Sequence, residues 1–354
     1  MSRFERLPWR RIILVILSIG LIILTIVGSV ATLSKPPGEG GYSASTWAGF
    51  VVDGISQGAI YALIALGYTL VYGILRMINF AHGEVMMTGA FAGFFFADAY
   101  AQSGYLDRNP IAAMLIVTLA AVIVSMIVAV LLERIAYRPL RNAPRLVPLI
   151  TAIGASLFLS NAFRGFFGPQ TRGFPRPEAL VGSVQIFGLE VQKVRILVIV
   201  VGLICMVVLQ VFVARTTTGR SMRAVAQDRE IASLMGIDVN RVIMITFAIG
   251  GILAGIAGVL FATTFEQVRY DMGFRPGIAA FTAAVLGGIG SIGGAVLGGF
   301  LLGILQAIGP ALILSGFGIP SPFALKDAFT FLVLVLVLVY RPGGLLGTGE
   351  QEKV

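Results

Sequence analysis

Nine apolar runs, separated by short polar stretches, organise the chain. A helix needs about 20 apolar residues to cross the hydrocarbon of a bilayer, and most of these runs approach that length. The long run 277–314 exceeds one helix, and we divide it in two at its glycine-rich segment 287–294. We therefore predict membrane helices at residues 12–33, 50–72, 82–100, 111–132, 146–167, 194–214, 242–265, 277–314 (as two) and 324–340.

Composition indicates the same class. Apolar residues make up 57% of the 354 residues and charged residues only 12%, with a mean hydropathy of +0.93. Soluble domains carry about 25% charged residues. The composition therefore excludes a soluble enzyme and a disordered chain, and the continuous apolar runs exclude an outer-membrane barrel, whose strands alternate. We predict an all-α polytopic membrane protein, folded as a single domain over residues 1–354.

The first 33 residues resemble a signal peptide, with a basic tail followed by an apolar run. That run is longer than a typical signal peptide core, and no small-x-small cleavage site follows it. We interpret 1–33 as a basic tail and a retained first helix. With these helices, most of the 26 Lys and Arg fall on the side of the membrane that holds the N-terminus. They lie largely in the tail (Arg3, Arg6, Arg10, Arg11) and in loops 134–145 and 215–241.

The formal net charge of +9 could indicate a nucleic-acid partner in a soluble protein. In a membrane protein it is better explained by the excess of Lys and Arg in cytoplasmic loops. We therefore predict no nucleic-acid partner and place both termini in the cytoplasm. On the opposite side, acidic residues match most of the basic ones, as in Lys35 with Glu39 and in the groups 107–108, 266–275 and 326–327.

Glycine is the other anomaly of composition, with 44 residues. Small residues spaced by four let helices pack closely, so the pattern 250–258 and the pattern 298–303 predict a compact bundle. The runs 79–83 and 287–294 each interrupt an apolar stretch, one in each half of the chain. Interrupted helices in corresponding positions are typical of an internal repeat around a transport path.

Residues for catalysis are scarce. Cys205 is the only cysteine and His82 the only histidine, which excludes an intrachain disulfide and argues strongly against a zinc site. No phosphate-binding loop occurs, because run 287–294 has no lysine. His82 and Glu84 are two residues apart and face different directions on a helix. We therefore predict a protein that is not an enzyme.

Ionisable residues inside apolar runs are costly unless they face protein or water. Asp53 and Asp98 lie near the ends of predicted helices, where solvation explains them. Arg76 and Glu84 bracket the first break, where a structural ion pair and a functional role are both open. Asn79 can cap the helix that follows, and the N-terminus of that helix could offer N–H groups to a polar solute. Glu84 alone makes no relay of acids, which argues against a proton pump.

A short helix with one apolar stripe is predicted within loop 215–241. Met222, Val225 and Ala226 recur at helical spacing, followed by Ile231, Leu234 and Met235, and Gly236 is a plausible stop. Such a stripe needs a surface to cover it. Its own bundle, the lipid interface and a cytoplasmic partner are the alternatives.

Several motifs together resemble the permeases of branched-chain amino-acid ABC importers. They are YALIALGYTLVYG at 61–73 with MINFAHGE at 77–84, then GR at 219–220, AQD at 226–228 and ASLMGI at 232–237, then FTAAVLGGIGS at 281–291 and YRPGGLLG at 340–347. The resemblance runs from about residue 54 to the C-terminus. That family also includes permeases for urea and short amides, so the solute stays open.

The resemblance implies a permease of the bacterial inner membrane, paired with a second, similar permease. It also implies a periplasmic or lipid-anchored solute-binding protein and two cytoplasmic ATPase subunits, with ATP and Mg²⁺ on those subunits and no cofactor in this chain. The expected ATPase-coupling residues are Arg220, Met222, Arg223, Val225, Ala226, Asp228, Leu234 and Gly236. The expected residues of the path are Asn79, His82, Gly83, Glu84, Gly287, Gly288, Gly290 and Ser291.

Two other classes remain as alternatives. A stand-alone secondary transporter or channel would work without ATPase subunits and would not require an apolar docking helix. A scaffold or receptor would move no solute. The coupling hypothesis predicts that a charge at Met222, Val225 or Leu234 uncouples ATP hydrolysis from transport without unfolding the helices.

Overall fold

A computed structural model describes residues 8–37, 41–141, 143–144, 146–186 and 188–347 of the chain. These residues contain thirteen α-helices. The basic tail with Arg3 and Arg6, the acid Glu39 and the loop residue Arg145 lie outside these residues. The helices are α1 Pro8–Leu33, α2 Ala44–Leu75, α3 His82–Gln102, α4 Tyr105–Arg108, α5 Pro110–Leu132, α6 Leu146–Phe167, α7 Lys193–Arg215, α8 Thr217–Gln227, α9 Arg229–Leu234, α10 Val239–Phe265, α11 Phe274–Gly287, α12 Ile292–Gly309 and α13 Lys326–Tyr340.

The fold also contains four short β-strands. β1 (Arg172–Gly173) pairs antiparallel with β4 (Gln267–Val268), and β2 (Ser183–Ile186) forms a hairpin with β3 (Leu189–Gln192). The predicted helical membrane class is confirmed, since 79% of the structure is helical. Seven helical segments are long and apolar enough to cross a membrane, at Ala44–Leu75, Pro110–Leu140, Leu146–Phe167, Lys193–Arg215, Val239–Phe265, Ile292–Phe317 and Pro322–Tyr340.

The break predicted after the second apolar run is present between α2 and α3. α2 ends where Arg76 adopts a left-handed conformation (φ 54°), and its N–H donates to the carbonyl of Tyr72. The expectation that Asn79 caps α3 is wrong. The N-cap position is Ala81, and the Asn79 side chain instead accepts a hydrogen bond from the Tyr137 hydroxyl at 2.6 Å. Asn79 therefore connects the break to the π turn Glu133–Tyr137 that follows α5.

A second break of the same kind follows α10. Glu266 ends that helix with φ 53°, and Arg76 and Glu266 are the non-glycine residues with positive φ in the described part of the chain. After each break the order of elements repeats, because α5 and α12 both continue into a π turn and then a 3₁₀ turn. The internal repeat therefore pairs segment 76–81 with 266–273. The predicted pairing with 287–294 is wrong, although that run does separate α11 from α12.

The two halves run in opposite directions. The start of α2 and the end of α10 both lie near the connection between α12 and α13. Phe50 of α2 contacts Phe323 of that connection (ring centroids 5.4 Å apart), and the ammonium of Lys326, the first residue of α13, lies 6.0 Å from the Phe265 ring of α10. α2 packs on α11 and α12 as α10 packs on α3 and α5. We name the end of the bundle that carries the β2–β3 hairpin the hairpin face. The opposite end, with connections 76–81, 133–141, 216–238, 288–291 and 341–347, is the arginine face.

α2 is buried along almost its whole length and is the centre of the bundle. Glycine permits this packing, because a Cβ on Gly299 of α12 would lie 2.6 Å from the Cα of Ala62. α6, α7 and α13 instead expose apolar side chains outward, as lipid-facing helices do. The glycine pattern thus predicted the tight core correctly.

Candidate functional site

The N-termini of α3 and α11 meet inside the bundle. A Cβ on Gly83 would lie 2.4 Å from the carbonyl oxygen of Gly273 and 3.1 Å from the Cα of Gly277. Glycine at these positions therefore lets two helix starts approach backbone to backbone. Because helix N-termini carry a partial positive charge and free N–H groups, their meeting point favours an anionic or polar group.

His82, the first residue of α3, is 2% exposed. Its ring lies edge-on to the Tyr68 ring with 5.2 Å between centroids, in a space that Gly67 leaves open. Its Nε2 atom has no hydrogen-bond partner among the described residues. His82 therefore packs against α2, away from the side chain of Glu84, as their spacing predicted.

Glu84 is also 2% exposed, and its carboxylate points into a different environment. Its Oε1 accepts a hydrogen bond from the Ser156 hydroxyl at 3.4 Å, while Oε2 is buried without a partner in the described part of the chain. The proposed ion pair with Arg76 is wrong, because Arg76 is exposed and no such pair joins the described residues. Glu84 thus has one buried carboxylate oxygen that makes no hydrogen bond within the described residues.

Glu84 also lines a cavity of about 570 Å³. Gln57 and Tyr61 of α2 form one polar wall, and Ser156 and Ser160 of α6 form another. The amide of Gln57 donates to the Tyr61 hydroxyl (2.5 Å), which donates to Gln306 Oε1 (2.7 Å). Leu157, Phe261 and Phe265 add apolar surface. The cavity therefore combines one acidic group, neutral polar groups and an apolar wall.

The mouth of the cavity lies toward the hairpin face and carries both signs of charge. Arg269 pairs with Asp271, whose hydrogen bond raises the pKa of Arg269, and Arg275 lies 3.6 Å from Asp327. The predicted balance of charges on this side is thus present within the described residues, with Glu266 paired to Arg176 at 2.7 Å. Asp53, expected to be solvated, is instead ion-paired with Arg195, whereas Asp98 bonds Gln102 at the surface.

The sequence analysis missed four residues that line this cavity. They are Gln57, Tyr61, Ser156 and Ser160. The signal in the sequence is two pairs of polar residues at i and i+4 within apolar helices, a spacing that places both members on one side of a helix. Nothing in the sequence indicates that these sides of α2 and α6 face the same space.

The glycine run 287–294, expected in the same path as Glu84, lies at the arginine face, away from the Glu84 cavity. Gly287 is ten residues beyond Gly277 on α11, which corresponds to about 15 Å. The run packs on the segment after α13, since the N–H groups of Leu345 and Leu346 donate to the carbonyls of Leu286 and Gly287. Gly288 and Gly290 have φ of 106° and 97°, and Ser291 caps α12. These residues therefore lie on the arginine face, against the segment after α13, and they do not line the Glu84 cavity.

The segment 215–241 forms α8 and α9 on the arginine face. Asp228 caps α9 by accepting from the N–H groups of Glu230 and Ile231, and Gly236 (φ 83°) follows its end, as predicted. Met222 and Val225 are 4% and 1% exposed and pack on the bundle core, with Ala226 half-buried beside them. This half of the stripe is therefore covered by the protein itself.

The other half of the stripe remains open. Ile231, Leu234 and Met235 are 60%, 86% and 78% exposed. Arg220 is exposed nearby, whereas Arg223 is held to the end of α7 through the carbonyl of Val213. An exposed apolar surface thus lies on α9 and the turn after it.

Comparison with known proteins gives consistent matches. The family described as branched-chain amino acid transport system, permease component, matches residues 50–338. The branched-chain amino acid permease BraD of Pseudomonas aeruginosa is 44% identical over 307 residues, 86% of this chain and 97% of that protein. LivH of Escherichia coli K12 is 40% identical over 305 residues, covering 85% and 96%. The autoinducer 2 permease LsrD of Photorhabdus temperata is 30% identical over 194 residues, covering 53% and 54%.

Proposed function

The chain belongs to the family of branched-chain amino acid transport permeases, and we propose from that premise that the Glu84 cavity holds the amino acid during transport. The chain is a permease of an ABC transporter in the inner membrane and not an enzyme. The observation that carries the proposal is Glu84, a buried acid that lines the cavity and whose Oε2 lacks a partner in the described residues.

The chemistry of the cavity suits a zwitterion with an aliphatic side chain. The carboxylate of Glu84 would bind the ammonium group, and the N–H groups at the start of α3 would bind the carboxylate. Leu157 and Phe261 supply apolar surface for the side chain. An uncharged solute such as urea or a short amide would leave the Glu84 charge without a partner, which disfavours it.

The orientation follows from the distribution of charge. The arginine face would lie in the cytoplasm and the hairpin face outside, because arginine-rich connections stay on the cytoplasmic side. About ten membrane or re-entrant helices then place both termini in the cytoplasm. α3 and α11 would be the half-helices of this arrangement, both beginning at the meeting point of Gly83 and Gly273.

The chain is expected to work in a complex with other protein subunits. Membership of an ABC family implies ATPase and binding-protein components. We propose two ATPase subunits carrying ATP and Mg²⁺, one similar permease, and a binding protein at the hairpin face. The ATPase contact would be the exposed half of the α8–α9 segment, with Arg220 and Leu234 in direct contact. Met222, Arg223, Val225, Ala226, Asp228 and Gly236 would act by holding the segment in place.

We predict that Leu234→Glu reduces ATPase subunit binding by about tenfold, because it places a charge at the centre of an apolar contact. The unfolding temperature of the chain should not change, since Leu234 is 86% exposed. Ser233→Glu is the matched control, because it adds the same charge one residue away. Equal binding by wild type and Leu234→Glu in a pull-down from detergent would refute the contact.

The prediction that a charge at Val225 uncouples ATP hydrolysis from transport is revised, because Val225 is buried in the bundle. An aspartate at this 1% exposed position would bury a charge, so Val225→Asp should destabilise the chain by several kcal/mol rather than uncouple a folded transporter. Thermal unfolding in detergent measures this effect. A variant with unchanged unfolding temperature and lost coupling would show that the side chain acts on the partner directly.

The decisive experiment for the function is purification with native neighbours in mild detergent, followed by uptake assays in vesicles. The proposal expects ATPase subunits to co-purify and uptake of leucine, isoleucine or valine to require ATP and the binding protein. Uptake by the chain alone without ATP would support the stand-alone carrier instead. Absence of any solute flux from the complete complex would favour a scaffold or receptor.

A further inference from the structure

A cleft on the arginine face brings three arginines together. It has a volume of about 100 Å³ and lies between the end of α2, the α5–α6 connection and α9. Arg76, Arg141 and Arg229 line it, with Leu75 and Pro148 beside them. No carboxylate lines the cleft among the residues that the structure describes. Arginines that merely mark a cytoplasmic loop would spread into water, whereas these three converge.

Hydrogen bonds hold two of the three guanidinium groups in place. Arg229 donates from Nε to the carbonyl of Ile74 at 3.0 Å, at the open end of α2. Arg141 donates from Nη1 to Asn240 Oδ1 at 2.5 Å, and its Nη2 pairs with the buried Glu133. The Nε of Arg141 is buried and has no partner in the described residues. Arg141 and Arg229 are thus held in fixed positions at the cleft.

The cleft retains an excess of positive charge. Glu133 is the carboxylate paired with Arg141, and it also lies 3.6 Å from Arg138, so it does not neutralise Arg76 or Arg229. Burial lowers the pKa of Arg229, and the charges of Arg141 and Arg76 lower it further. Like charges held together at a partly buried site are relieved by a bound anion.

We propose that this cleft binds an anionic phosphate group, supplied by the headgroup of an anionic phospholipid of the inner leaflet. Guanidinium groups match phosphate oxygens in charge and in hydrogen-bond geometry. Pro148, which lines the cleft, lies in the first turn of α6. That helix exposes Leu146, Ile150 and Ile153 along its outer side, where acyl chains would lie. Basic pockets between helices on the cytoplasmic side suit such headgroups.

The test measures lipid retention by the chain, purified with the subunits that accompany it and placed in phosphatidylcholine nanodiscs containing phosphatidylglycerol. Native mass spectrometry should detect a retained phosphatidylglycerol on wild type, with about tenfold weaker retention on Arg76→Gln. Arg76 is exposed and pairs with no buried acid among the described residues, so this variant should fold. Arg229→Gln is the second variant, and Arg241→Gln, an exposed arginine outside the cleft, is the control.

Two outcomes distinguish the source of the phosphate. Retention of phosphatidylglycerol that inorganic phosphate does not displace supports the lipid headgroup. Protection of wild type, but not of Arg76→Gln, against thermal unfolding by inorganic phosphate alone, without lipid retention, supports the cleft but overturns the lipid as its ligand. Equal loss of lipid in Arg241→Gln and Arg76→Gln, or unchanged retention in both cleft variants, overturns the site.

Discussion

Replacing Glu84 with glutamine is expected to reduce amino acid uptake by roughly 10- to 100-fold. The carboxylate is the buried charged group of the cavity, and a charge-assisted hydrogen bond to the solute ammonium contributes about 1.5–3 kcal/mol. Glutamine keeps the shape and can still accept from Ser156. The measurement is ATP-dependent uptake of labelled leucine into proteoliposomes that contain the complete transporter and its binding protein.

The same substitution should not destabilise the protein. A buried carboxylate without a cationic partner costs free energy, so Glu84→Gln should leave the unfolding temperature unchanged or raise it. Loss of uptake with retained stability separates a solute contact from a structural role. Glu178→Gln makes the same chemical change at an exposed position of the hairpin face and should transport normally.

Two results would contradict the role of Glu84. Wild-type uptake by Glu84→Gln would remove the carboxylate from the solute site, although the family assignment would stand. An equal loss for an uncharged amide, if the transporter carries one, would show that the carboxylate does not select the ammonium group. A defect confined to amino acids is the expected pattern.

Seven of the ten predicted membrane helices are present among the described residues as segments long enough to cross, and these and the first break could be predicted because lipid imposes a simple rule on the sequence. Each crossing must be apolar over about 20 residues, so polar residues such as Asn79 and Glu84 within apolar surroundings stand out. The second break was not recognised because 266–273 is charged and directly follows an apolar run, which is also the pattern of an ordinary external loop. Its return into the bundle depends on the contact between Gly273 and Gly83.

The cavity was only partly predictable for a related reason. Glu84 is conspicuous by its charge, but Gln57 and Ser156 become site residues only through the packing of α2 and α6 around one space. The amphipathic segment shows the same limit. Val225 and Leu234 share one helical periodicity, and only the tertiary structure shows that the first is covered by the bundle while the second is 86% exposed.

The contact between the two half-helices gives the second large prediction. Gly83→Ala is expected to lower the unfolding temperature in detergent by about 5 °C and to impair transport strongly. The added Cβ would lie 2.4 Å from the carbonyl oxygen of Gly273, a backbone atom that no side-chain rotation can move away. Gly83 is not among the glycines with positive φ, so the cost arises from this contact and not from its own backbone.

Gly73→Ala is the matched control, because it lies in helix α2 with nothing within 4 Å of the added Cβ. There alanine should be neutral or stabilising, since it favours helix by about 1 kcal/mol over glycine. Equal tolerance of alanine at Gly83 and Gly73, measured by thermal unfolding, would show that the starts of α3 and α11 do not touch.

Gly273→Ala should reproduce the defect from the other side, since its Cβ would lie 2.3 Å from the carbonyl oxygen of Gly83. The double variant should then be less destabilised than the sum of the two single variants. One separation of α3 from α11 relieves both contacts, and changes at touching residues are not additive. Strict additivity of the two unfolding free energies would place the glycines in independent contacts and remove the shared junction on which the proposed solute site depends.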